Sequence, residues 1–331
     1  MVGIVSGVVA AVPLVIVAML VMFGWVYRLR SGQANTSVSL KGKTIIVTGA
    51  SAGIGKETVR DLARRGGRVI MACRNLQKAS KVASEIEAST GSKSVVVREL
   101  DTSSLSSVRS FAARILAEER RLDVLVLNAG IGGPAERVLT PDGLELTMAT
   151  NHFGHFLLAN LLLGLLKDSQ PSRVVVVASM AHAGVKSLDI ENLNFKREES
   201  FKTVRAYRQT KACNILFARQ LTAMLKDSGV VVNSVCPGLV CTELFAKSNG
   251  LFTKYFLNFV SHLAGKTPVE GAQTIIHLAV SEDTATISGK FFRNCKVDKV
   301  GCDLVLDDGM AKKLWEASEI LVGLQPDERH Y

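Results

Sequence analysis

Tyr207 and Lys211 stand four residues apart in the stretch Tyr207-Arg208-Gln209-Thr210-Lys211, whose composition suits a helix. That spacing puts a phenol and an ammonium on one helical face, a turn apart. A phenol has an ordinary pKa of about 10 and is a poor base at neutral pH unless a neighbouring cation favours its charged form. The pair is therefore suited to moving a proton to or from an oxygen, with Lys211 as the cation. Any amphipathic helix face can show such a pair. Its weight here comes from position, because it lies between a strand-like run that ends at Ser179 and the strand-like run that follows.

A second candidate is the turn Thr48-Gly49-Ala50-Ser51-Ala52-Gly53-Ile54-Gly55, which follows an apolar β-branched run and opens a helix-compatible stretch over 56–65. Glycines between a strand and a helix allow a tight turn and bring backbone N–H groups close to a pyrophosphate, which the helix N-terminus favours electrostatically. A dinucleotide is the ligand this predicts. An NAD site places an acidic residue near the end of the next strand for the ribose 2′-hydroxyl. This chain has Ala72-Cys73-Arg74 there, and a guanidinium fork suits a 2′-phosphate better than a bare ribose. The expected cofactor is NADP(H). The positive ring of its oxidised form would join Lys211 in favouring phenolate.

These residues must be held by a repeating framework. Apolar β-branched runs at 44–48, 68–72, 94–100, 124–127, 173–178 and 230–235 are each followed by a stretch with helical spacing. Such alternation implies βαβ units and a parallel sheet covered on both faces. A seventh strand is expected at 290–294 and a last helix around 310–322. No internal repeat breaks the pattern. The predicted organisation is an apolar segment over 1–27, a polar linker over 28–43, and one folded domain over 44–325.

The glycine turn reads TGxxxGIG, and with the Tyr-Lys pair it resembles the short-chain dehydrogenase/reductase family. The resemblance implies a Rossmann-type, doubly wound parallel sheet of about seven strands. Through it, Gly49, Ser51, Ala52, Gly53, Ile54 and Gly55 are implied cofactor contacts, together with Arg74, Tyr207 and Lys211. Asp101 follows the third strand, where family members hold the adenine. Asn128-Ala129-Gly130 ends the fourth, with Leu127 where the family's NNAG pattern has its first Asn. Ser179 matches the catalytic serine, whose hydroxyl can bond the substrate oxygen as charge develops. Asn151 matches the member that holds a water in the proton relay with the lysine. Pro237-Gly238 and Thr242 match the segment that contacts the nicotinamide carboxamide. Within the family, residues 41–323 are similar to the retinol dehydrogenases and their membrane-anchored homologues, which share Arg64-Arg65-Gly66-Gly67, residues 151–156 and Leu314-Trp315-Glu316-Ala317-Ser318.

Val2 to Tyr27 carries no charged side chain, and such a run is long enough to cross a bilayer as a helix. It has no basic n-region and no small-x-small cleavage site, so a retained anchor is expected over a cleaved signal peptide. Arg28, Arg30, Lys41 and Lys43 all follow it, which predicts a domain facing the cytosol, from a membrane expected to be that of the endoplasmic reticulum. Trp25 and Tyr27 would lie at headgroup level. The sequon at Asn35 matters only for a lumenal domain.

The net charge of +10 comes from basic residues scattered among acids, which fits a solvated surface beside anionic lipid and not a nucleic-acid site. Six cysteines form no CxxC pair, as expected of free thiols in a reducing compartment. His152 and His155 lack a third ligand, so no metal is expected. Residues 156–166 are apolar nearly all round and fit a buried helix or a homodimer face. Residues 251–260 fit either core or a greasy substrate lid.

The expected activity is interconversion of an apolar alcohol and its aldehyde or ketone, with a retinoid as the best substrate and retinal reduction the favoured direction. A steroid or fatty-aldehyde reductase would use the same residues. A non-catalytic dinucleotide-binding scaffold is the rival class, and it has no need of Ser179, Tyr207 and Lys211 together.

Overall fold

A computed structural model describes residues 18–34, 36–240 and 264–331. Strand β1 (Thr44–Thr48) is buried along its whole length. Beside it run β2 (Arg68–Cys73), β3 (Val95–Glu99), β4 (Val124–Leu127), β5 (Ser172–Val177), β6 (Val230–Cys236), β7 (Phe291–Arg293) and β8 (Lys296–Val297). The spatial order is β3-β2-β1-β4-β5-β6-β7-β8. All neighbours pair in parallel except β7 and β8.

Successive residues of the central strands serve opposite faces. Ile46, Ile70 and Leu125 belong to one core, while Ile45, Val47, Val69 and Met71 belong to the other. This is why the runs read as unbroken apolar stretches and not as alternating ones. Helices α1 (Gly53–Arg64), α2 (Leu76–Thr90) and α6 (Pro268–Val280) cover one face. On the other face lie α3 (Leu105–Glu118), α4 (Gly154–Leu161), α5 (Thr203–Met224) and α7 (Asp308–Val322). Because β2 and β4 flank β1, the chain winds in opposite directions from there. The crevice at the carboxyl ends of β1 and β4 is the switch point where such sheets bind ligands.

Helix ends follow local chemistry. Asn75 caps α2 by accepting from the Lys78 amide at 2.8 Å, and Gly91 ends it in the left-handed region at φ 71°. Asp307 and Gly323 do the same for α7. Before α4, the helical run starts at Leu146–Met148 and passes through one π-helical turn, Ala149–Phe153. Gly154 follows that turn, and a Cβ there would lie 1.9 Å from the Thr102 carbonyl oxygen. The helix therefore packs directly on the loop after β3.

Two expectations are changed. The sheet has eight strands, not about seven. The eighth is a two-residue exposed strand reached through Asn294 and Cys295, both in the left-handed region at φ 54° and 59°. That is the backbone of a two-residue hairpin turn, without the glycine that usually announces one. Over residues 156–166, where a buried helix or a homodimer face is expected, the buried side chains pack against this chain's own α5 and α7: Phe156 meets Trp315 edge-on at 4.8 Å between centroids, and Phe217 stacks on Trp315 at 5.9 Å. That run is core.

The other change concerns the N-terminal region. Residues 18–29 are helical, with Met19, Met22, Phe23, Trp25 and Leu29 exposed. Among the described residues no helix is long and apolar enough to cross a membrane; residues 1–17 of the expected span lie outside them, as does Asn35. The expected linker lies against the domain. Arg28 pairs with Glu270 at 3.0 Å, the Ala34 amide donates to Gln273 at 3.0 Å, and the Arg65 guanidinium donates to the Thr36 carbonyl at 2.6 Å. Leu40 is buried. Peptide groups of Ala34, Thr36 and Val38 are thus bonded by the side chains of Gln273 in α6 and of Arg65 just past α1, which composition alone cannot show.

Candidate active site

The glycine turn leaves β1 at the switch point. Gly49 sits at φ 66°, and a Cβ on it would lie 2.8 Å from Ala129 Cα; one on Gly55 would lie 2.5 Å from the Gly49 carbonyl oxygen. Thr48 and Asn128 fix this approach. The Thr48 hydroxyl oxygen accepts from the amides of Asn128 and Ala129 at 2.8 and 2.9 Å, and the Asn128 side chain donates back to the Thr48 carbonyl at 2.8 Å. Asn128 therefore ties the β1 and β4 ends together, which explains a structural need for it beside any ligand contact.

At the start of α1, the N-cap residue Ala52 offers no side-chain hydrogen bond, and the first turn has no acid. By contrast α2, α3, α6 and α7 are each capped by a side chain. The amides at the start of α1, at Gly53, Ile54 and Gly55, are thus left for an outside acceptor, and the missing Cβ atoms allow it to come close. Ser51 instead turns its hydroxyl toward the buried Cys73 thiol. A dinucleotide pyrophosphate fits this cradle.

Arg74 lies just past β2. It is 61% exposed, and its Nη1 stands 3.9 Å from Asp101 Oδ2, so its guanidinium is free to meet an anion from solvent. Asp101 is locked by Ser103, whose amide and hydroxyl donate to Oδ1 at 2.9 and 2.6 Å. The two residues flank the same end of the crevice.

Nearer the centre, the π-helical turn delivers Asn151 into the core. Its Oδ1 accepts from the Ile131 amide at 2.8 Å, and its Nδ2 donates to the Ile131 carbonyl at 2.9 Å and to Thr210 at 3.2 Å. Gly130 is adjacent: a Cβ there would lie 3.3 Å from Asn151 Oδ1 and 3.8 Å from Lys211 Nζ. The side chain of Asn151 is thus fully engaged in holding the loop after β4. His155 is buried behind it, with Nε2 3.0 Å from the Thr48 hydroxyl and Nδ1 3.3 Å from the Asn151 carbonyl. His152 lies between Asn214 and Ser318 at 3.3 and 3.1 Å. Burial lowers His155 to about 3 and His152 to about 4. Both are neutral core histidines.

Helix α5 presents Tyr207 and Lys211 to the end of β5. Lys211 Nζ donates to the Val177 carbonyl at 3.2 Å, which also accepts from Asn214 at 3.1 Å. The ammonium stands over the Tyr207 ring, 5.6 Å from its centroid. Ser179 hydrogen-bonds the Tyr207 side chain. It also caps the 3-10 turn Met180–Gly184 by accepting from the Ala181 amide at 3.1 Å. His182 Nδ1 approaches the Ser179 carbonyl at 2.5 Å, and its Nε2 accepts from the Gly301 amide at 2.8 Å. This brace on the serine's backbone was not visible in the sequence, where His182 has no distinguishing neighbour.

The protein's own groups do not by themselves acidify the phenol. Burial pushes Tyr207 up to about 12, against the smaller lowering effect of its Ser179 hydrogen bond. It pushes Lys211 down to about 8. Removing water disfavours both charged forms, and spacing along a helix reveals only the neighbouring cation.

Beyond β6, Gly238 adopts φ 97°. The Cys236 thiol accepts from the Met180 amide at 3.3 Å, which joins this strand end to the Ser179 turn. Thr242 lies outside the described residues, as do 251–260. An unexpected neighbour is Tyr27, whose Oη accepts from the Leu239 amide at 2.9 Å.

Comparison with known proteins agrees with this geometry. The short chain dehydrogenase family model matches residues 43–189. Human retinol dehydrogenase 14 is 42% identical over 86% of this chain and 88% of its own length. The chain belongs to the short-chain dehydrogenase/reductase family, within its retinol dehydrogenase-like group. Human retinol dehydrogenase 11 is 43% identical over 90% of this chain and 92% of its own. Among solved structures, an uncharacterized protein from Mycobacterium paratuberculosis superposes with a TM-score of 0.69 at 32% identity, covering 88% of this chain and 98% of that one. As a short-chain dehydrogenase/reductase, the chain is an oxidoreductase acting on CH–OH groups, with a fold that binds NAD(P).

Proposed function

We propose that this short-chain dehydrogenase/reductase is an NADP(H)-dependent enzyme that interconverts an apolar alcohol and its carbonyl form, with retinal reduction as its main reaction. The observation that carries the catalytic part is the hydrogen bond between Ser179 and Tyr207 beside the buried Lys211 ammonium. The retinoid assignment follows from the relatives named retinol dehydrogenases and from the apolar N-terminal segment. Selection of the 2′-phosphate is assigned to Arg74, with Asp101 at the adenine and the Gly49 to Gly55 turn at the pyrophosphate. Asn128, Ala129, Gly130, Pro237, Gly238 and Thr242 complete the assigned cofactor contacts.

In reduction, Ser179 and Tyr207 hold the substrate carbonyl oxygen by hydrogen bonds. When bound, the dinucleotide supplies the hydride, or in its oxidised form accepts one and adds a positive ring that pulls the phenol down. Tyr207, kept protonated by burial, gives its proton to the oxygen as negative charge develops there. Lys211 stabilises the phenolate that remains until a proton returns from solvent through a water assigned to Asn151. Oxidation reverses each step.

Residues 1–27 are assigned as a membrane anchor of the endoplasmic reticulum that places the domain on the cytosolic side, where lipid carbonyls partition. Arg28, Arg30, Lys41 and Lys43 support that orientation; a glycan on Asn35 would contradict it. The assignment is tested by giving the purified full chain retinal, a steroid ketone and a long-chain aldehyde, each with NADPH or NADH. Highest kcat/KM for retinal with NADPH is expected. A higher value for the steroid or the aldehyde would move the substrate, and equal use of NADH would remove the role given to Arg74.

A further inference from the structure

We infer that Tyr27 is a positioning residue for the cofactor site, holding residues 237–240 from the end of the N-terminal helix so that seating of that helix is coupled to NADPH binding. The inference rests on the reading of Pro237 and Gly238 as nicotinamide contacts.

Both peptide groups of Leu239 are held from outside its own segment. Its amide donates to Tyr27 Oη at 2.9 Å, and its carbonyl accepts from the Lys266 amide at 2.8 Å. Leu239 itself is 43% exposed, so its packing alone does not fix this segment. Gly238 makes the approach of Tyr27 possible, since a Cβ there would lie 2.4 Å from the phenol oxygen.

The same end of the helix is fastened at three further points. Lys266 Nζ stands 5.5 Å from the Tyr27 ring centroid and donates to Asn294 Oδ1 at 2.7 Å. Arg28 pairs with Glu270, which also closes the capping box of α6 with Thr267. Gly32 passes so close to Asn294 that a Cβ would lie 2.1 Å from its carbonyl oxygen. Tyr27 is therefore the contact by which a segment more than two hundred residues away in sequence reaches the end of β6. From there Cys236 connects to Met180, the residue after Ser179.

A membrane-proximal tyrosine usually serves as an interfacial anchor, with an apolar ring and a wet hydroxyl. Here the hydroxyl is bound to the domain, while Trp25 is left 64% exposed. The coupling this predicts runs from the lipid-facing helix to the cofactor through one hydrogen bond and one ring contact.

The test titrates NADPH into the full chain and its Tyr27→Phe, Tyr27→Ala and Gly238→Ala variants, with Tm and steady-state constants measured in parallel. For Tyr27→Phe we expect NADPH binding weakened roughly three- to tenfold, the loss of one hydrogen bond. KM for NADPH should rise more than kcat falls, at unchanged Tm, and Tyr27→Ala should show the larger effect. Wild-type NADPH affinity in both Tyr27 variants while Gly238→Ala binds weakly overturns the role of Tyr27 alone. Unchanged affinity in all three overturns the reading of residues 237–238. Weaker binding that merely follows a fall in Tm also overturns the inference, since that is the behaviour of a structural contact.

Discussion

Lys211 Nζ stands 5.6 Å from the centroid of the Tyr207 ring, and burial has moved the two groups in opposite directions, the phenol up to about 12 and the ammonium down to about 8. Both shifts have one cause: each charged form loses its hydration. The site therefore holds a neutral proton donor next to a cation that is costly to keep. Such tension between stability and function is common at active sites.

Lys211→Met should separate these two effects. The Val177 carbonyl keeps its Asn214 donor, so the variant leaves no buried acceptor orphaned. A lysine with a lowered folded pKa destabilises the fold while it is charged, and the penalty is complete below pH 8. It fades as the pH rises from there toward the unfolded value of about 10.4. The Met variant should be more stable than the parent at pH 7, with the difference vanishing near pH 10, while kcat falls about a hundredfold. Chemical denaturation across that range checks the first part. A variant less stable at pH 7 would contradict it.

Arg74→Glu tests cofactor selection. The side chain is exposed and its ion pair with Asp101 is long, so stability should change by less than about 0.5 kcal/mol. Its kcat/KM with NADPH should fall about thirtyfold or more from lost charge-assisted bonds to the 2′-phosphate, whereas that with NADH should hold or improve. Equal losses with both cofactors would show that Arg74 does not read the phosphate.

His152 and His155 predict an acid-sensitive core. Burial holds them at about 4 and about 3 when folded, against about 6.5 in an unfolded chain. Between pH 6.5 and about 4 the unfolded state alone binds these protons, so stability present above pH 6.5 is lost as the pH falls. The two together can contribute a slope of up to about 2.7 kcal/mol per pH unit. Unfolding of a His152→Asn, His155→Gln double variant should take up about two fewer protons in that range, with a correspondingly shallower loss of stability. Parallel pH profiles for variant and parent would contradict it.

Much of the framework was readable because its signals are local. Strands such as Val124–Leu127 are buried on both faces, so they appear as plain β-branched runs, and Asn75, Gly91, Asp307 and Gly323 mark helix ends by their own chemistry. The β7–β8 hairpin was hidden because Asn294-Cys295 lacks a turn glycine. The π-helical turn that delivers Asn151 was hidden because its setting includes the contact of Gly154 with Thr102. Tyr27 reads as an interfacial aromatic until Leu239 is brought to it. The phenol's upward shift had no local sign either, since Lys211 is visible in the sequence and desolvation is not.

The most direct test is Tyr207→Phe in the full chain, assayed for retinal reduction with NADPH and for NADPH binding. The variant removes one oxygen and leaves the ring under Lys211, so the fold and cofactor affinity should stay near parental. Turnover should fall about a thousandfold, the range of a lost general acid. Turnover within a few fold of the parent would show that the proton comes from another group.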